Sequence, residues 1–163
     1  MKYTEIDEQM LQLNFRLLTE FVEIQSAWMN IICDEKKWAA LPRWTRLRLA
    51  LGGTFRSPAD GLEYVRWEGD QVDECGAATK QATDAQTTLS LYHWWTVMRR
   101  YREDPWAMVD DYDILDTLAM EKRRASVLHR QESQRAWDLE AAQTQEDTDK
   151  LIQLMSIRSS LWT

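Results

Sequence analysis

Every glycine of this 163-residue chain lies between Gly52 and Gly76, and the only prolines are Pro42, Pro58 and Pro105. On either side of those points nothing interrupts a helix, so the chain is free to wind into helix almost throughout. From Ile6 onward the apolar residues Ile6, Met10, Leu13, Leu17, Phe21, Ile24, Trp28 and Ile31 recur in steps of three or four, a helical stripe of about eight turns. A flanking row of Leu11, Phe15, Leu18, Val22, Met29 and Ile32 makes the stripe wider than a coiled-coil seam. Such a helix needs neighbours on two sides and belongs at the centre of a bundle. Thr4 can cap its start, answered by Asp7 three positions on.

Further start and stop signals divide the remainder. Pro42 suits the first turn of a short helix that places Leu41, Trp44, Leu47 and Leu51 inward and Arg43, Arg46 and Arg48 outward, and Gly52-Gly53 stop it. Ser57-Pro58-Ala59-Asp60 combines a cap, a first-turn proline and an acid, opening a helix that ends before Gly76. Thr83 to Gln86 reads as a capping box ahead of Leu89, Tyr92, Trp95 and Met98. Asp110 to Leu161 lacks glycine and proline, but its middle is poor in apolar residues, which favours two helices broken near Gln143-Thr144. The resulting expectation is an all-α fold: residues 1–163 as a single helical bundle of five to six helices with a long N-terminal helix.

Length is sufficient for a core without staples. Cys33 and Cys75 show no ligand spacing and read as free thiols of a reducing compartment, with Cys33 buried at the end of the apolar stripe. Charge interrupts every apolar run, so no membrane span or signal segment is expected, and the chain reads as cytosolic. A net charge of −7 argues against nucleic acid as sole partner. The charges come in blocks. Lys36 to Arg56 holds six basic residues and no acid, Ser57 to Gly76 is acidic, and Arg99, Arg100 and Arg102 precede another acidic run. Alternating blocks of this kind are expected to pair across a folded surface.

Catalytic signatures are missing. His93 and His129 stand in no metal-binding pattern, and His93 between Tyr92 and Trp94 reads as packed or hydrogen-bonded. No phosphate loop or serine elbow occurs, and no cofactor is implied. The one enzymatic candidate is a carboxylate set, Glu63 and Glu68 with Asp110 and Asp113, which could hold Mg²⁺ for nucleotide hydrolysis. The spacing of five between Glu63 and Glu68 turns one side chain away from the other, and acids at a helix N-terminus are favoured by its dipole alone. The set therefore reads as caps and solvated charge.

Nine tryptophans are a heavy load of the side chain that most often anchors contacts. Trp94 and Trp95 point about 100° apart on a helix, so both join a core or one faces a partner. The block Leu91-Tyr92-His93-Trp94-Trp95-Thr96-Val97, then Arg99 and Asp104-Pro105-Trp106, and the ending from Glu146-Asp147 through Leu151-Ile152, Leu154-Met155, Ile157-Arg158 and Leu161-Trp162-Thr163 resemble a group of small tailed-bacteriophage proteins without assigned activity. Arg100 departs from that group, which often has proline there. The resemblance implies expression in the cytoplasm of an infected bacterium and transfers no functional residue. The functional expectation is a non-enzymatic module that binds a host or phage protein and modulates or inhibits a host enzyme or defence complex, with Trp94, Trp95, Arg99, Arg100, Arg102, Trp106, Arg43 and Arg46 as candidate contact residues. The Mg²⁺-dependent hydrolase and a virion or assembly component that forms a homo-oligomer are the alternatives.

Overall fold

A computed structural model describes residues 6–107 and 119–161 of the chain. Six helices form among these residues, counting the N-terminal rod of residues 6–32 as one, and no strand does; Val72 and Ala78 make one isolated antiparallel bridge. The all-α expectation with a long N-terminal helix holds. Thr4, Asp110, Asp113 and Trp162 lie outside the described residues.

The N-terminal rod consists of α1 (Ile6–Glu20), a π-helical turn (Phe21–Ser26) and α2 (Ala27–Ile32), with helical backbone at both junctions. Its buried row is Leu11, Phe15, Leu18 and Val22, then Ala27 and Ile31. The wide π turn contains one residue more than an α-turn, which shifts the inward positions by one after Val22. This corrects the sequence reading, in which the row through Met10 and Leu13 leads. Those two residues are exposed, because α6 and α7 lie against the flanking row. Leu91, Trp94, Leu154, Ile157 and Leu161 close over Leu11, Phe15 and Leu18 to form the main core. The last helix thus docks on the N-terminal rod, as the spacing of Leu154, Ile157 and Leu161 predicts.

Helix α3 (Glu35–Ala40) starts at Asp34, whose carboxylate accepts from the amides of Lys36 and Lys37. It is followed by α4 (Arg43–Ala50), which Pro42 precedes. Helix α5 (Pro58–Gly69) has the expected Ser57 cap, and crosses the rod at its π turn. The crossing is close because Gly61 has no side chain: a Cβ there would stand 1.9 Å from the carbonyl oxygen of Val22. The π turn also frees the Glu23 carbonyl to accept from the Ser57 amide at 2.8 Å. Helix α6 (Lys80–His93) begins one turn earlier than the Thr83 box suggests, because the Thr79 hydroxyl accepts from the Ala82 amide. It runs on through a second π turn (Trp94–Met98) into a 3₁₀ turn (Arg99–Tyr101).

Helix α7 (Ala119–Leu161) is continuous, which corrects the break expected near Gln143-Thr144. The apolar-poor stretch is held by polar contacts instead. Gln143 donates to the Glu103 carbonyl, and Glu146 and Asp147 receive two arginines and an indole N–H. No residue there breaks helical hydrogen bonding, so contacts from outside suffice to keep the helix straight.

Candidate interaction surface

The second π turn carries Trp94 and Trp95, with Arg99, Arg100 and Arg102 just after it, and of these five only Arg100 is exposed. Trp94 is 2 % exposed. Its ring packs 5.0 Å from that of Phe15, and its Nε1 donates to Glu146 at 2.7 Å. Trp95 stacks on the other side of Phe15 at 4.9 Å. Arg99 and Arg102 lie over Trp95 and Trp94 at 5.0 and 5.1 Å from the ring centroids. Arg99 pairs with Glu8 at 2.7 Å and Asp147 at 3.0 Å, and Arg102 with Glu146 and Asp147 at 2.6 Å each.

This cluster ties three chain segments together. Burial disfavours the charged Arg99 guanidinium, but the hydrogen bonds and charge of Asp147, with Glu8, outweigh it and hold the group above its ordinary range. Among the described residues, the acids that satisfy Arg99 and Arg102 come from the N-terminal rod and α7. Trp94, Arg99 and Arg102 therefore act as internal staples. Trp106 packs edge-on against Trp137 of α7 at 4.9 Å, and Arg100 is exposed.

A different group of residues faces outward. On α4, Leu49 is the buried contact, while Trp44 (80 % exposed), Leu47 and Leu51 stand in solvent. The sequence reading faced Leu41, Trp44, Leu47 and Leu51 inward, and the turn after α4 explains the reversal. Gly52 has φ +83°, the Gly53 amide donates to the Arg48 carbonyl, and Arg48 Nη2 donates to the Thr54 carbonyl at 2.8 Å. That turn orients the short helix with Leu49 toward the rod. At about 100° per residue, Trp44, Leu47 and Leu51 then share the opposite face, flanked by Arg43 on one edge and Arg48 on the other.

None of Arg43, Arg46 and Arg48 has a carboxylate partner among the described residues. Arg46 lies on the inner side of α4, where its Nε is buried without a hydrogen-bond partner. The surface is thus an apolar stripe that begins with an indole and is edged by guanidinium groups without a carboxylate partner among the described residues. Periodicity found the stripe but gave it the wrong direction, since the deciding turn geometry follows the helix.

Of the candidate carboxylates, Glu63 and Glu68 are described, and each is held by a different partner. Glu63 pairs with Lys37 at 2.7 Å and accepts from Asn30 at 3.2 Å, and the hydrogen bonds from Lys37 and then Asn30 hold it below the usual range. Glu68 accepts from Gln81. Among the described residues no group of three or more metal-ligating side chains converges. Cys33 is exposed, contrary to the expectation of burial, because it ends the rod beyond the last packed turn; Cys75 is exposed as well. His93 is also exposed, on the outer side of α6, rather than packed. Among the described residues no helix is long and apolar enough to cross a membrane.

Comparisons with protein-family models, curated proteins and solved structures found no match for this chain.

Proposed function

We propose that this chain is a phage-encoded, non-enzymatic interaction protein that docks through the α4 face onto an acidic surface of a host or phage protein in the infected bacterium. The observation that carries the reading is Trp44, an indole 80 % exposed among arginines that no carboxylate neutralises among the described residues. A large aromatic left in water next to charge without an ion-pair partner among the described residues is the composition of an interface anchor and its rim. The net charge of the chain is −7, so the basic face is a local exception that an acidic partner would recognise and a basic one would not. The resemblance of the Tyr92–Val97 and Ile157–Thr163 blocks to phage proteins supports the setting. Trp94, Arg99 and Arg102 have their polar groups matched inside the fold, and Trp95 is half-buried against Phe15, which leaves α4 as the docking face.

The test is parallel capture from bacterial lysate with the wild-type chain and with Trp44→Ser/Arg43→Glu. A partner retained by the wild type, identified by mass spectrometry as presenting an acidic face, and lost from the variant is the expected outcome. Equal recovery on both would place the contact elsewhere.

A further inference from the structure

A cavity of about 750 Å³ opens between the N-terminal rod, Leu49 of α4 and the segment after it, α5, Gln81 of α6 and the end of α7. Its walls include the rings of Phe21, Trp28, Phe55 and Tyr64. None of these rings packs against another of the four; Trp28 and Tyr64 make their ring contacts outside the set, with Trp38 and Trp67, and Phe21 packs in part against the main core. The volume is in the range of small-molecule sites, which are mainly apolar with a few placed polar groups.

The charge of the lining is one-sided. Among the described residues Glu68 is the only carboxylate on the walls, and no lysine, arginine or histidine lines them. Glu68 forms no ion pair and is held by the neutral amide of Gln81. A carboxylate beside aromatic surface without a counter-charge favours a cation that brings its own apolar body, because the ring faces and the carboxylate attract the same sign. The neighbouring phenol shows the local environment: burial first, then the Glu68 charge, push the Tyr64 hydroxyl up from its ordinary range. Ser26 adds a buried hydroxyl with no hydrogen-bond partner to the rod side of the wall.

We infer that this cavity is a binding site for a small organic cation, an alkyl- or aryl-ammonium compound whose charge sits at Glu68 and whose apolar part lies among Phe55, Trp28 and Tyr64. An anion is disfavoured by the same carboxylate, and a neutral ligand of equal shape loses the charge contribution. Leu49 lines this cavity from the inner side of α4, opposite the outward stripe of Trp44, Leu47 and Leu51.

The probes are 4-phenylbutylammonium, its neutral analogue 4-phenylbutanol and the anion 4-phenylbutyrate, titrated into the full chain with binding followed by ligand-observed NMR and calorimetry. The cation is expected to bind about tenfold or more tightly than the alcohol, the order of a desolvated charge contact, with the carboxylate weakest. In Glu68→Gln, which keeps a hydrogen-bonding partner for Gln81, the cation should fall to near parity with the alcohol while the alcohol's affinity stays unchanged. Phe55→Ala should weaken both, and circular dichroism of each variant should match the wild type. Equal affinity of cation and alcohol for the wild type would overturn the inference. So would persistence of the preference in Glu68→Gln, unchanged binding in Phe55→Ala, or no binding of any probe.

Discussion

Tyr92 is the clearest single residue at which burial and hydrogen bonding can be read out by pH. Its hydroxyl donates to Glu23 at 2.8 Å, and Glu23, 8 % exposed, is also held by Arg56 at 2.6 Å. Burial, then the hydrogen bond and charge of Glu23, push the Tyr92 phenol up to about 12. The folded state therefore keeps its proton at a pH where the unfolded chain has lost it. The stabilisation is full below the ordinary tyrosine range near pH ~10 and is lost as pH rises from there through the folded value. Melting temperature should fall more steeply between those two points in the wild type than in Tyr92→Phe. At neutral pH the same substitution should cost about 1–2 kcal/mol, the loss of one hydrogen bond to a buried charged acceptor. Gly61 gives the opposite kind of test, since a methyl group there collides with the Val22 carbonyl. Backbone meets backbone at that crossing, so Gly61→Ala should cost about 3 kcal/mol or more in urea unfolding.

At the scale of elements, α7 tests whether polar contacts can hold a helix where apolar ones are scarce. Glu146 and Asp147 bring Arg99 and Arg102 onto it, and Arg99 reaches back to Glu8 on α1. Thr144→Pro removes a helical hydrogen bond and should cost about 3 kcal/mol or more, with increased amide exchange spreading through residues 140–150. Asp147→Ala should cost about 3–5 kcal/mol, because it leaves two partly buried guanidinium groups short of a partner. The positions of most elements were legible in sequence, since the breakers cluster and Ser57 and the closing leucine-isoleucine spacing are local signals. The continuity of α7 was not, because what keeps it straight comes from residues 40 or more positions away. The inward row of the rod was also hidden: a π turn moves register by one residue, and nothing in the composition of Phe21–Ser26 announces it. Asp34 was a readable cap for α3 that the long apolar stripe obscured.

For the whole molecule, a closed core and an outward-facing helix carry different duties. Trp94 and Trp95 belong to the core, and the arginine cluster locks the two ends of the chain to it. Leu154→Ala or Leu161→Ala should therefore lower stability by about 2–5 kcal/mol, while Trp44→Ser, which removes little packing, should leave the melting temperature nearly unchanged. The site was half legible in sequence. Arg43 and Arg46 were singled out on their basic block, but Trp44 was assigned inward because a stripe has no sign until a neighbour is known. The central claim, that α4 is the docking face, is tested most directly by the dissociation constant of the captured partner for the wild type and for Trp44→Ser, measured at low and high salt. A loss of affinity of about thirtyfold or more in the variant, the size expected of an aromatic anchor, together with weaker wild-type binding at high salt, is the predicted result. Equal affinity of the two chains, with the variant folded, would contradict the account.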